Sequence, residues 1–292
     1  MNTETIITTA NCLSSWVTDI LAPIEVLREC NALAAKNEAV REVRIGQTES
    51  GHCLKAYEFG CGQPHTLFYG FPDPGEAVGG TTILALLRGL TEKNKFLGSL
   101  KIGWHFIPCL NLDDQPDGGA SLTSIFRNPN IREVDWCTDN PRSETTALLG
   151  YAESIRPTFT YSLHDEYHSG ESIPVCMGVS EPLERSVCQR ARTCLSTFGL
   201  QIKKNPHETM GDAFTVMTQF GDDYLKSTFL RLARYGLVGT CEVSQQKGLS
   251  PSKLVSAQIA IGMVLLDVTM KNRTKSIKQG VEGDTLNRAP QL

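Results

Sequence analysis

Six polar side chains fall directly after stretches that read as β-strands, and their types are those of a metal centre with a base. Asp73 and Glu76 follow HTLFYGF, Asn111 and Asp113 follow WHFIPCL, His164 closes TFTYSL and Glu242 closes LVGTC. In open α/β sheets, chemistry gathers at the carboxyl ends of strands, so these groups are expected on one edge. Two carboxylates and a histidine, with one position left open, describe a catalytic zinc site. Glu242 is then the general base that takes a proton from the activated water. Asp73 and Glu76 stand three apart at a loop-to-helix junction turned by Pro74 and Gly75, so both reach one ion. The competing reading of DPGE is structural: Asp73 as a helix N-cap and Glu76 closing a capping box. A lone strand-end histidine is also commonly structural. It is the joint placement of Asp73, Glu76, His164 and Glu242 that favours the metal.

The elements that must carry these residues alternate along the chain. Apolar residues at helical spacing over 12–37 predict an N-terminal helical extension, interrupted at Pro23. VRIGQTESGHCLKAYEFG predicts two strands around a turn at Glu49–Gly51. HTLFYGF is a buried strand, and Gly75 to Leu90 a helix whose first turn is weakened by Gly79 and Gly80. KIGWHFIPCLN, TFTYSLH and LVGTCEV are further strands. SETTALLGYAESI, PLERSVCQRARTCLSTFGL and DDYLKSTFLRLARYG are helices, the last two stopped by Gly199 and Gly236. SPSKLVSAQIAIGMVLLDVTM is a final helix, with Ser250 as N-cap and Pro251 at its first position. This order predicts an α/β fold: a mixed, mainly parallel twisted sheet with helices on both faces. The expected organisation is an extension over 1–41, one catalytic domain over 42–272 and a flexible tail over 273–292.

Composition narrows the class further. The 292 residues are 40% hydrophobic and carry a net charge of −4, which fits a folded domain and argues against a nucleic-acid partner. No apolar run is read as approaching the ~20 residues that span a bilayer, and MNTETIITTANCLSSW lacks the features of a signal peptide. A cytoplasmic location without membrane association is expected. The ten cysteines contain no CxxC pair, so buried free thiols are expected rather than a thiolate zinc site. There is no G-x-S-x-G elbow, Walker loop or G-x-G-x-x-G, which leaves serine-hydrolase and nucleotide-binding readings unsupported. His52, His65, His105 and His207 lie apart from the set. His168 is placed at the rim, and Asp165 and Glu166 either orient His164 or face solvent.

The order of short motifs YGFPDPGEAVGG, IPCLNLDDQPDGG, FRNPNIREVDW, PRSETTALL, TYSLHDE and GTCEV resembles the zinc carboxypeptidase family in its short bacterial form. The resemblance covers about 42–270 in unbroken order. It implies a carboxypeptidase-like fold, one Zn²⁺, Glu76 and His164 as ligands, Glu242 as the catalytic glutamate, and Arg127 as the arginine that polarises the scissile carbonyl. Two departures stand out. Asp73 occupies the position of the family's leading histidine ligand, which makes the shell more anionic and favours harder ions such as Mn²⁺. Cys137 and Thr138 fall where an Asn-Arg pair clamps the substrate carboxylate. Asn140 and Arg142 are the nearby substitutes, with a surface arginine as the other reading of Arg142, and Tyr224 is the candidate loop tyrosine. The implied activity is hydrolysis of a peptide or amide bond: a carboxypeptidase acting on a small peptide or peptide-bound precursor. The alternatives are an amidase or deacylase on acyl-amino acids or cell-wall peptides, and a binding scaffold without catalysis.

Overall fold

The computed structural model describes residues 1–73, 75–113, 141–166, 172–177, 181–201, 228–245 and 248–278. Seven strands among them form one sheet: β1 (Val40–Gln47), β2 (Cys53–Phe59), β3 (His65–Gly70), β4 (Gly103–Ile107), β5 (Phe159–Glu166), β6 (Ile173–Met177) and β7 (Leu237–Ser244). Their spatial order is β1-β2-β4-β3-β5-β7-β6. The centre, β4-β3-β5-β7, is parallel, whereas β1, β2 and β6 pair antiparallel towards the two edges. The sheet is therefore mixed, as expected, with its parallel part confined to the strands that carry the candidate site.

Strand alternation sorts residues onto two faces. Phe68, Trp104, Phe106, Phe159, Tyr161, Leu163, Cys241 and Val243 face a large core. Leu67, Tyr69, Ile107 and Val238 face a smaller one. The large core is covered by α1 (Thr3–Ser14), α2 (Pro23–Lys36), α3 (Val78–Thr91) and α8 (Pro251–Lys278), with α6 (Glu181–Thr197) packed on α8. The smaller one is covered by α5 (Ser143–Ile155) and α7 (Thr228–Ala233). The short α4 (Lys95–Ser99), capped by Asn94, leads into β4.

Several boundaries differ from the sequence reading for local reasons. Helix begins at Thr3, because Asn2 caps it by accepting the Thr5 N–H. Pro23 occupies the first turn of α2, where its missing N–H costs nothing. Ile6, Ala10, Leu13, Val26 and Cys30 all lie in the large core, so the segment 1–41 is built into it. β5 continues past His164 to Glu166, because β7 pairs with it through Ser244. The helix α8 runs to Lys278, so the segment 273–278, expected as tail, is helical. Its stretch Pro251–Lys271 has the length and apolarity of a membrane-crossing helix, contrary to the expectation from run length, but 89% of that window is buried inside the protein. Core position explains the composition.

The close seat of α3 on the sheet explains Gly79. A β-carbon there would lie 2.7 Å from the Leu163 carbonyl oxygen. A residue that lowers helix propensity is thus the one that lets the helix touch β5.

Candidate active site

The chain leaves β3 through a sharp turn that delivers both acidic residues. Phe71 (φ 51°) and Gly75 (φ 83°) adopt left-handed backbone on either side of Asp73. Phe71 is a strained position for a bulky residue. Complete burial of its ring and the hydrogen bond from Asn111 N–H to its carbonyl (2.9 Å) hold it there. The N-cap position of α3 is Ala77, not Asp73. The capping-box reading of DPGE is therefore replaced by one in which the acidic side chains serve something else.

What they meet is His164. Its Nδ1 lies 2.9 Å from Glu76 Oε2 and 3.5 Å from Asp73 Oδ2. One donor atom from each of Asp73, Glu76 and His164 lies within 4.8 Å of the other two, and this is the metal-capable cluster among the described residues. Donors about 2.1 Å from a shared tetrahedral zinc would stand about 3.4 Å apart, so these spacings fit one ion with little movement. Glu76 and His164 are about nine-tenths buried, while the Asp73 side chain retains 23% exposure and marks the open side.

Glu242 sits next to this cluster. It is the register partner of His164 on the adjacent parallel strand, so their backbones are about 5 Å apart and their side chains share a face. The Phe229 ring of α7 lies edge-on to the imidazole, with ring centres 6.3 Å apart. Cys241 and Cys109 are buried, and burial pushes both thiols well above their ordinary range, which removes them as nucleophiles. Cys30 and Cys194 are likewise buried, while Cys12, Cys53 and Cys61 are exposed.

Other residues singled out from the sequence have different placements. Asp165 is buried: its Oδ2 accepts the Val78 N–H at the start of α3 (2.8 Å) and a Gln245 amide hydrogen (3.0 Å). It faces α3 rather than solvent. Asp113 is committed to the β1–β2 turn, accepting from Ser50 N–H (2.8 Å) and lying 3.1 Å from His52 Nδ1. Arg142 is not on the surface. It is buried and bonded to the buried Glu144 through Nε (3.2 Å) and Nη2 (2.9 Å), and Nη2 also reaches Asn111 Oδ1 (3.4 Å). One guanidinium edge, Nε–Nη2, is taken by Glu144, so Arg142 ties the first turn of α5 to the loop after β4. Arg127, Asn140, Tyr224 and His168 lie outside the described residues.

This architecture recurs among solved structures. A metallo-carboxypeptidase from Burkholderia cenocepacia aligns with a TM-score of 0.59 at 14% identity, over 85% of this chain and 70% of that one. One from Pseudomonas aeruginosa, solved with (2-guanidinoethylmercapto)succinic acid, gives 0.61 at 14%, over 85% and 70%. The carboxypeptidase A of Helicoverpa armigera gives 0.61 at 12%, over 89% and 75%. At these identities the likeness is one of fold, and the fold is that of the metallocarboxypeptidases. No family model matches the sequence, and no curated protein does.

Proposed function

We propose that this chain is a metal-dependent hydrolase of a peptide or amide bond. The observation that carries the reading is the convergence of one nitrogen and two carboxylate oxygens at ion-binding distances beside Glu242. Asp73, Glu76 and His164 would hold the ion, which when bound supplies Lewis acidity for carbonyl polarisation and water activation. Glu242 accepts a proton on its carboxylate from the attacking water and returns it to the leaving amine. Arg127 is assigned to the developing oxyanion by resemblance alone. Zinc is the family's ion. Two anionic ligands and one imidazole also suit Mn²⁺, since oxygen-rich shells favour harder cations.

A second reading, amide deacylation without a terminal carboxylate on the substrate, is favoured by one observation. The Nε–Nη2 edge of Arg142, one of the two that could clamp such a carboxylate, is bound to Glu144. A cytoplasmic setting would require narrow specificity in either case, because unrestricted trimming of chain ends would damage the cell's own proteins.

The decisive experiment measures bound metal in purified wild type, Asp73→Ala and Glu242→Gln, with turnover of short peptides and acyl-amino acids. Metal in wild type, its loss in Asp73→Ala, and metal without turnover in Glu242→Gln are expected. Folded wild type that takes up neither Zn²⁺ nor Mn²⁺ refutes the reading. Continued cleavage of carboxylate-blocked substrates selects deacylation over carboxypeptidase action.

A further inference from the structure

The three segments that bring Asp73, Glu76, His164 and Glu242 together come from separate parts of the chain, and two buried polar side chains join them. Gln258 lies on α8, fully buried under the large-core face of the sheet. Its Nε2 donates to the His164 carbonyl (2.6 Å) and to the Cys241 carbonyl (2.9 Å). Its Oε1 accepts from the Tyr161 hydroxyl (2.8 Å). Both amide hydrogens are thus used, one on each of two adjacent strands. A flipped amide would set its oxygen against two carbonyl oxygens, and Tyr161 fixes the orientation from the other end. The bridge falls on the peptide group that follows His164 in β5 and on the one that precedes Glu242 in β7.

Asp165 makes the complementary link. Alternation along β5 turns it towards α3 while its neighbour His164 faces the opposite side. By accepting the Val78 N–H it fastens the start of α3, two residues beyond Glu76, to the residue after His164. The carboxylate also meets the positive end of the helix, where an anion is favoured.

We propose that Gln258 and Asp165 are the positioning residues of this site. Asp165 sets the distance between Glu76 and His164, and Gln258 sets that between His164 and Glu242. The proposal rests on the metallohydrolase reading above. Neither residue touches the ion or substrate; both act through the backbone of residues that do. Groups that hydrogen-bond the metal-ligating side chains typically change metal affinity 10–100-fold when removed, and a similar range is expected here.

The test uses the full chain as wild type, Gln258→Met, Asp165→Ala, Asp165→Asn, and Met263→Leu as a volume-conserving change elsewhere in buried α8. Two quantities are read: the Zn²⁺ and Mn²⁺ dissociation constants by chelator competition, and backbone hydrogen exchange of the metal-free protein. Gln258→Met keeps the side-chain length but removes the amide. It should raise both dissociation constants 10–100-fold and speed exchange selectively at 164–166 and 241–244. Asp165→Ala should weaken metal similarly and speed exchange at 76–80. Asp165→Asn, which retains an acceptor for the Val78 N–H, should recover most of the affinity. Met263→Leu should change neither readout. If Gln258→Met and Asp165→Ala bind metal within twofold of wild type, or if exchange rises uniformly over the sheet, the positioning role is overturned and the hydrolase reading stands. If wild type itself binds neither ion, both fall together.

Discussion

The contact between α3 and β5 makes Gly79→Ala an informative change. A methyl at this position would stand 2.7 Å from the Leu163 carbonyl oxygen, 2.8 Å from its Cβ and 3.3 Å from the Gly70 Cα. Ordinary contact begins at 3.4 Å, so the helix must retreat by about 0.7 Å (3.4 − 2.7). Alanine in a helix gains at most about 1 kcal/mol over glycine. Overpacking against backbone costs about 1–3 kcal/mol. The variant is therefore expected to lose about 1 kcal/mol, read as a lower urea midpoint. The consequence for the site is larger. Glu76 moves with α3 and His164 with β5, and a displacement of about 0.7 Å exceeds the ~0.2 Å within which coordination distances normally hold. Metal affinity should fall at least tenfold. Gly150→Ala is the internal comparison: it lies at an exposed position of α5 with nothing within 4 Å of the added methyl. That variant should gain up to ~1 kcal/mol and bind metal as wild type does. If Gly79→Ala is as stable as Gly150→Ala and keeps wild-type affinity, the close seat of α3 does not position the site.

Other consequences are accessible to simple measurements. His105 is held down to about 4, first by burial, with His65 and Arg41 adding to the effect and Glu58 opposing it. A histidine whose pKa is lowered in the fold contributes stability fully above its unfolded value near 6.5, and loses it as pH falls towards 4. Up to ~3 kcal/mol should disappear over that window in urea titrations; a wild-type slope matched by His105→Gln would refute the assignment. Arg142→Met leaves the Glu144 carboxylate buried without its cation and should cost about 3–5 kcal/mol, while Arg142→Met/Glu144→Leu recovers most of it. A double variant no more stable than the single would show that the pair matters little. Saturating metal should raise stability by about 2.7 kcal/mol at a hundred times its dissociation constant, with the gain lost in Asp73→Ala. Identical melting of wild type in chelator and in metal would count against a built site.

The parts legible in the sequence were those with short-range signals. His164 and Glu242 end apolar strand runs, and alternation alone puts them on one face once the strands pair in register. Asp73 and Glu76 are close in sequence, so their convergence needed only a turn. What the sequence hid depends on contacts between distant segments. Asp165 looked like one of several acidic residues after a histidine, yet the approach of α3 buries it. Arg142 reads as a carboxylate clamp or a surface arginine; Glu144 is only two residues on, but Asn111, from another strand end, gives no local sign of closing over it. Gln258 left a faint trace as an amide inside the apolar run SAQIAIGMVLL. A buried amide must be satisfied, but nothing local says by what. The antiparallel edge strand β6 carries no alternation strong enough to separate it from a loop.

Asp73 is the candidate ligand that departs from the resembling family. An aspartate is shorter than the histidine it replaces in the resembling family, so the backbone must come nearer to the ion. The turn does this with left-handed residues on both sides of Asp73, one of them the strained and fully buried Phe71. Even so, Asp73 Oδ2 stands 3.5 Å from His164 Nδ1, against 2.9 Å for Glu76, and its side chain is the more exposed of the two carboxylates. Glu76 and His164 are thus the more buried part of the proposed set, beside α3 and the sheet, while Asp73 sits on its open side. A harder, more anionic ligand set of this kind puts the burden of geometry on the backbone rather than on the ligands. That is why the glycine contact at Leu163 and the bridges from Asp165 and Gln258 matter to the chemistry as well as to the fold.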